Sequence, residues 1–240
     1  MKSLLKYGLL FSAILAVPLV NADEKAVRES IARFMPSVKP DQVSPSEVKG
    51  MYEVMVGTNI FYMSEDGKYV IQGKMIDLES RKDISEEKVA KARLEALGKV
   101  DKGQMIEFGP KESKHKVMVV TDIDSGYCRK LHAEIDQYMD EGITIQYLFF
   151  PRAGKGAGSY KKAVSVWCSD DRNDALTRAK KGETPEEKEC ENPVDSHMAL
   201  GRNLDVRGTP MLVTEKGTVF PGYMPAKKLS SALEADKAVQ

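Results

Sequence analysis

The sequence predicts an α+β N-terminal domain that a linker helix joins to a larger α/β domain. Three observations support this fold class: a helical spacing of apolar residues followed by short β-rich runs, a segment rich in Ala, Glu, Lys and Leu at residues 85–100, and a β-α-β pattern after about residue 104. The chain has 240 residues, of which 42% are hydrophobic and 30% charged, enough for one or two folded domains.

The charge balance of the chain argues against a nucleic-acid partner. The 36 Lys and Arg residues equal the 36 Asp and Glu residues, so the chain lacks the basic excess that nucleic-acid-binding surfaces carry. We therefore expect no nucleic-acid partner.

The first 22 residues have the pattern of an export signal. Lys2 and Lys6 form a basic start, residues 9–20 are almost continuously apolar, and the segment ends on small residues at Ala22. The apolar run is shorter than the roughly 20 residues that a membrane-spanning helix needs. We expect cleavage after Ala22 and export to an oxidising compartment, where disulfides persist. The mature chain then has 34 basic and 36 acidic residues.

The N-terminal domain is predicted to span residues 23–84. Residues 23–35 carry apolar side chains at a helical spacing, and three prolines make residues 36–45 turn-rich. Three strand-like runs follow, at residues 50–56, 60–63 and 69–73. So small a domain buries little core by itself, and pairing with a second copy through an edge strand would stabilise it.

The linker is predicted to span residues 85–103. Its helix has Ser85 as the expected N-cap and good helix formers from Lys88 to Leu97. We interpret its charged side chains as a solvated surface and the helix as a semi-rigid spacer.

The second domain is predicted to span residues 104–240. A buried strand at 116–121, a helical pattern at 127–139 and a strand at 143–150 form a β-α-β unit with a parallel strand pair. Helical segments follow at 160–167 and 196–203, then strands at 211–214 and 218–220, and a last helix at 225–237. This order of elements is that of a thioredoxin-like domain.

The chain has three cysteines, and an odd number in an exported protein leaves one thiol unpaired or reactive. Cys128 lies where the first strand of the second domain meets its helix, and a helix N-terminus favours a thiolate over a thiol. From position alone, Cys128 is equally a redox candidate or a small buried hydrophobic residue.

Several motifs resemble those of the periplasmic DsbC-type thiol:disulfide interchange proteins. They are TDIDSGYCRKLH at 121–132, FPRAG at 150–154, RGTP at 207–210, PGY at 221–223, the Cys168 and Cys190 pair, and DGKYVIQG at 66–73. The resemblance covers essentially the whole mature chain.

This resemblance implies a V-shaped homodimer joined by cystatin-like dimerisation domains, with two thioredoxin-like domains facing a cleft. The implied partners are misfolded, disulfide-containing exported proteins and a membrane thiol reductant of the DsbD type. It also implies a cis peptide bond between Thr209 and Pro210, which presents the Thr209 backbone to an extended substrate peptide. The substrate-binding residues that it implies are Gly126, Tyr127, Thr209 and Pro210.

One departure from the family motif bears on mechanism. The family has Cys-Gly-Tyr-Cys, and this chain has Ser125 at the position of the nucleophilic cysteine, which leaves Cys128 as the remaining catalytic candidate. Disulfide exchange requires a thiolate, and a helix dipole shifts a pKa by only about one or two units, too little to ionise an alcohol. We therefore expect impaired turnover, with slow exchange by Cys128 alone as a less favoured alternative.

The resemblance assigns Cys168 and Cys190 to a structural disulfide; pairing of Cys128 with one of them is the alternative. We expect no cofactor and no metal site, and we interpret His115, His132 and His197 as surface residues. A second hypothesis for function is a non-enzymatic holdase that binds unfolded chains in the dimer cleft.

Overall fold

The computed structural model describes residues 22–238. The predicted export signal therefore lies outside the described residues, except for Ala22, at which the first helix begins. Within the described residues, no helix combines the length and the apolar character needed to cross a membrane.

The N-terminal domain is one helix packed on an antiparallel meander. Helix α1 (Ala22–Phe34) covers a four-stranded sheet in the order β1-β2-β3-β4. The strands are β1 (Gln42–Pro45), β2 (Met51–Val56), β3 (Asn59–Ser64) and β4 (Val70–Ile71). Val27 and Ile31, one turn apart on α1, are buried against apolar residues of the sheet.

Two local features of this domain differ from the predictions. The stretch predicted to be turn-rich contains β1, and Pro45 is tolerated because it ends an edge strand that pairs only with β2. The strand predicted at 69–73 is reduced to the two residues of β4.

The linker helix α2 (Ile84–Leu97) begins at a different cap from the predicted one. Asp83 is the N-cap, and its carboxylate accepts from the N–H of Glu86 at 2.9 Å. Ser85 is instead buried in the first turn, where its hydroxyl lies 2.7 Å from that of Tyr62. The prediction of Ser85 as N-cap was wrong because an acceptor two residues earlier reaches the free N–H groups.

Helix α2 also packs against both domains and is not a free spacer. Lys88 forms an ion pair with Glu53 of β2, and Arg93 donates to the carbonyl of Gly217 at 3.0 Å. A Cβ atom at Gly217 would lie 2.4 Å from the carbonyl oxygen of Ala90, so only glycine fits this approach. The charged side chains of α2 therefore fix its position.

The second domain is an α/β fold around a five-stranded mixed sheet in the order β5-β7-β6-β8-β9. Its strands are β5 (Ile106–Phe108), β6 (His115–Thr121), β7 (Ile143–Phe149), β8 (Met211–Thr214) and β9 (Val219–Pro221). Strands β6 and β7 are parallel, which confirms the predicted β-α-β unit, and the other pairs are antiparallel.

The helices of the second domain are α3 (Gly126–Ala133), α4 (Ile135–Asp140), α5 (Gly158–Trp167), α6 (Arg172–Lys181), α7 (Val194–Asn203) and α8 (Ala226–Ala238). The single helix predicted at 127–139 is divided into α3 and α4 at Glu134, whose φ of −105° is not helical. Strand β5 and helix α6 were not assigned from the sequence. The predicted fold class, an α+β domain followed by a thioredoxin-like α/β domain, is confirmed.

Candidate functional site at the N-terminus of helix α3

The candidate site lies where β6 ends and α3 begins. Ser125 is the N-cap residue of α3, but its side chain makes no capping hydrogen bond. Its hydroxyl instead donates to the carbonyl oxygen of Thr209 at 3.1 Å. The Thr209–Pro210 peptide bond is cis, and the hydrogen bond from Ser125 shows that the loop before β8 lies against the start of α3.

The four residues of the SGYC motif differ in exposure. Gly126 and Tyr127 are exposed, whereas Ser125 and Cys128 are buried, with Cys128 only 1% exposed. Cys128 is the free cysteine of the described residues, and Cys168 is bonded to Cys190 at an S–S distance of 2.06 Å. The motif therefore presents an aromatic ring to solvent and keeps its sulfur inside.

The exposed ring of Tyr127 stacks on the ring of Tyr223, with 6.5 Å between the ring centroids. The Lys130 ammonium lies 4.5 Å from the centroid of the Tyr223 ring, and the Tyr223 hydroxyl donates to Glu134. Burial and the neighbouring Glu134 carboxylate raise the pKa of Tyr223 to about 12, so the ring stays neutral. Tyr223 was not predicted as a site residue, although the PGY motif that contains it was one of the motifs that carried the family resemblance.

Ion pairs hold the loop that leads into α3. Asp122 is buried, accepts from the N–H of Asp124 at 2.9 Å and pairs with Arg152 at 3.1 Å. Partial burial alone would raise the pKa of Asp124, but Lys162 and Arg129 hold it below its usual value. The loop is thus fixed by charged contacts on both of its aspartates.

The three histidines are buried, and the prediction that they lie on the surface was wrong. His132 contacts the hydroxyls of Tyr147 and Thr177 at 3.0 Å each, and His197 accepts from the N–H of Phe149 at 3.3 Å. His115 lies 2.7 Å from the Glu234 carboxylate. His115 and His132 have polar partners on other elements for the ring nitrogens described, whereas Nε2 of His197 has no hydrogen-bond partner among the described residues. The sequence pattern reveals none of these contacts.

Burial lowers the pKa of His132 and of His197 to about 4, with nearby lysines contributing at His132, so both rings are neutral at pH 7. Among residues 22–238, no group of three or more His, Cys, Asp or Glu side chains is placed to hold a metal ion. At the start of α3 the structure brings the Ser125 hydroxyl to the Thr209 backbone, and Cys128 lies one helical turn further along.

Lys180 is a further buried group that the sequence analysis missed. Its ammonium donates to the Thr121 hydroxyl at 2.7 Å and to the carbonyl oxygen of Asp122 at 2.9 Å. Burial lowers its pKa to about 8, although the charges of Cys128 and Asp122 oppose this shift. Lys180 was missed because helix α6 was not assigned from the sequence, and the register of that helix decides which of its lysines face inward.

Both domains match known protein families. Residues 18–86 match the disulfide bond isomerase protein N-terminal domain, and residues 102–237 match the thioredoxin-like domain. The chain is 35% identical over 238 residues to the thiol:disulfide interchange protein DsbC of Dickeya dadantii (strain 3937), covering 99% of this chain and 97% of that protein.

Two further relatives agree. The DsbC protein of Escherichia coli (strain K12) is 34% identical over 233 residues, which is 96% of each chain. The crystal structure of a disulfide interchange protein from Neisseria gonorrhoeae superposes with a TM-score of 0.52 at 30% identity, covering 57% of this chain and 99% of that one. With its site at the N-terminus of α3 and a matching domain on either side of the linker helix, the chain belongs to the DsbC family of thiol:disulfide interchange proteins.

Proposed function

We propose that this chain binds extended segments of misfolded, disulfide-containing proteins beside the cis-proline loop, and that Ser125 impairs its turnover as a disulfide isomerase. One observation carries the proposal: Ser125 stands at the nucleophile position, and its hydroxyl donates to the Thr209 carbonyl.

The chemistry of exchange explains the impairment. In the family reaction, the thiolate of the first cysteine attacks one substrate sulfur, forms a mixed disulfide and releases the other substrate sulfur as a thiolate. The thiolate of the second cysteine then attacks the first, releasing the substrate thiol. An alcohol at position 125 does not ionise near neutral pH and forms no disulfide, so both steps fail there. Cys128 remains, and its burial restricts attack on a protein disulfide.

Substrate binding is supported by the surroundings of the cis bond. A groove of about 340 Å³ runs past Thr209 and Pro210 to Thr58 and Asn59 of the N-terminal domain. The Thr209 hydroxyl is buried and has no hydrogen-bond partner among the described residues, so a bound peptide would satisfy it. Tyr127, two residues after Ser125 and 65% exposed, offers an apolar face to side chains of a peptide bound beside the cis bond.

A homodimer across the free edge of β4 is supported by backbone geometry. Strand β4 pairs only with β3, and the N–H of Ser64 donates to the carbonyl of Tyr69. Because hydrogen-bonding direction alternates along a strand, the N–H and C=O of Val70 point away from β3. Tyr69, Val70 and Ile71 are exposed beside this edge, and a second copy of β4 would cover them.

Export to the periplasm completes the proposal, with the segment up to Ala22 as the cleaved signal. The Cys168–Cys190 disulfide fits an oxidising compartment. A membrane thiol reductant of the DsbD type would have only mixed disulfides at Cys128 to reduce, because Ser125 cannot form the internal disulfide.

The test is refolding of a scrambled-disulfide ribonuclease by this chain and by the Ser125→Cys variant. We expect the variant to be at least about 100-fold faster, since it regains a nucleophile at the helix N-terminus. Equal rates would contradict the proposed mechanism. The Ser125→Ala variant is the matched control: it lacks the hydroxyl as well as the thiol, and we expect it to be as slow as this chain.

A holdase is the second candidate, favoured by the presence of a peptide groove without a nucleophile. Suppression of aggregation of a reduced substrate measures it. If Ser125→Cys fails to refold the ribonuclease while both forms suppress aggregation, the holdase reading replaces the first proposal.

A further inference from the structure

Lys180 is a buried cation without a carboxylate partner. No carboxylate oxygen of the described residues lies within 4.0 Å of its nitrogen, and both of its hydrogen bonds go to neutral acceptors, on Thr121 and Asp122. Its third N–H has no acceptor among these residues. A buried ammonium without a counter-charge is costly, so such a group calls for a nearby anion.

The packing of two helices places Lys180 against Cys128. Helices α3 and α6 lie side by side, with His132 of α3 3.0 Å from Thr177 of α6. Toward the other end of the pair, a Cβ atom at Gly182 would lie 4.0 Å from the Arg129 guanidinium. The helices are therefore antiparallel, and Lys180, one turn beyond Thr177, lies opposite Cys128, one turn before His132.

The other acidic or titratable groups around Lys180 either form ion pairs with other residues or are neutral at pH 7. The side chain of Asp122 pairs with Arg152, and that of Asp124 pairs with Arg129 and Lys162. His132 is neutral at pH 7, and burial keeps the Tyr147 hydroxyl, whose ring lies 6.0 Å from Lys180, protonated. The remaining cations, Arg129 and Lys181, oppose the Lys180 charge or lie outside the core. The carboxylates of Asp122 and Asp124 also favour the Lys180 charge, but each is paired with other cations, whereas Cys128 has no other cationic partner among the described residues.

We propose that the buried Lys180 ammonium is a positioning residue that stabilises the thiolate of Cys128. When the thiol ionises, its proton leaves to solvent, and the ammonium offsets the new charge in a site of low dielectric. This gives a sulfur that is almost fully buried a means of staying reactive. The inference rests on the proposed function only in taking Cys128 as the thiol that remains in the exchange motif.

The test measures the thiolate directly and needs no substrate. Thiolate absorbance at 240 nm is followed from pH 4 to 9 on unreduced protein, with the Cys128→Ser variant subtracted. We expect Lys180→Met to move the thiolate transition up by at least about one pH unit and to slow alkylation by iodoacetamide at pH 7 about tenfold. Lys180→Arg, which keeps the charge, is expected to restore both.

Lys181→Met is the matched control, since it removes the same charge from the neighbouring exposed position. A merely structural role for Lys180 would give the opposite sign, because a loosened core exposes the thiol and speeds alkylation without shifting the transition. Equal titration curves for Lys180→Met and Lys181→Met would also overturn the inference. Since no exchange is assayed, either result leaves the proposed function of the chain to its own test.

Discussion

The two domains differ in the size of their hydrophobic cores and in which side chains they expose. The N-terminal core cluster contains seven buried hydrophobic residues, whereas the largest cluster of the thioredoxin-like domain contains 23. Of the eight exposed large hydrophobic residues among those described, seven lie in the N-terminal domain, and Tyr127 is the exception.

The thioredoxin-like domain contains most of the buried polar residues among those described. His132, Lys180 and Asp122 lie inside it, each with partners on another element. The difference teaches that the N-terminal domain is built to be completed by another polypeptide. The second domain has the larger core, which includes Leu97 of α2, and its buried polar groups lie near the candidate site.

The largest expected effect is that lowering the pH destabilises the thioredoxin-like domain and not the N-terminal domain. All three histidines lie in the thioredoxin-like domain. The pKa values of His132 and His197 are lowered to about 4 in the folded state against 6.5 when unfolded. The two neutral rings contribute fully to the free energy of unfolding above pH 6.5. As the pH falls to 4, the unfolded state binds protons that the folded state does not, and up to about 3 kcal/mol of stability is lost for each histidine.

Trp167 is the single tryptophan and is buried in the thioredoxin-like domain, so urea unfolding followed by its fluorescence reports on that domain. The His132→Gln variant serves as the control and should flatten the pH dependence by about one proton. An unchanged free energy of unfolding between pH 6.5 and 4 would contradict the lowered pKa values.

The next effect compares the two cores through a matched pair, Ile31→Ala and Ile145→Ala. Both side chains are fully buried, so each variant should lose about 2–5 kcal/mol. We expect Ile145→Ala to lower the stability reported by Trp167. Ile31→Ala should unfold the small N-terminal core and leave the Trp167 transition in place. A common shift of both would show that the domains unfold as one unit.

A smaller effect tests the exposed edge. Val70 on β4 and Val48 in the turn before β2 are 48% and 50% exposed, which makes them a matched pair. In Val70→Lys, a charge on the pairing edge should weaken the dimer at least about 100-fold, or about 2.7 kcal/mol. Val48→Lys should leave it intact. Sedimentation velocity distinguishes the two, and dimers in both variants would place the interface elsewhere.

The smallest effect concerns the contact between the domains. The Thr58 hydroxyl is buried and donates to the Asn203 carbonyl at 2.7 Å. Thr58→Ala should cost about 1 kcal/mol, since the carbonyl loses its donor. The same loss of a hydroxyl at the exposed Ser80 should change the free energy of unfolding by less than about 0.5 kcal/mol. Equal effects would mean that this contact does not couple the domains.

Much of the fold was predictable because its signals are local. Periodicity gave α1, the long strands β2, β3, β6 and β7, and the β-α-β order, since patterns of buried residues repeat along each element. The short strands β1 and β5 and the polar helix α6 were missed. Strands β1 and β5 are too short to show an apolar pattern, and β7, the partner of β5, follows only after β6 and two helices. The sequence of α6 is mostly polar.

By itself, the sequence determined the two-domain order, the family and the absence of a thiol at position 125, because each depends on residue identity. Only the tertiary structure decided that the Ser125 hydroxyl turns to the Thr209 carbonyl, that three histidines are buried, and that the buried Lys180 ammonium donates to Thr121 and Asp122. The physical reason is that burial and electrostatics depend on which distant elements meet. The electrostatic surroundings of Lys180, for example, depend on the packing of α6 against α3, which lies some 50 residues earlier in the chain.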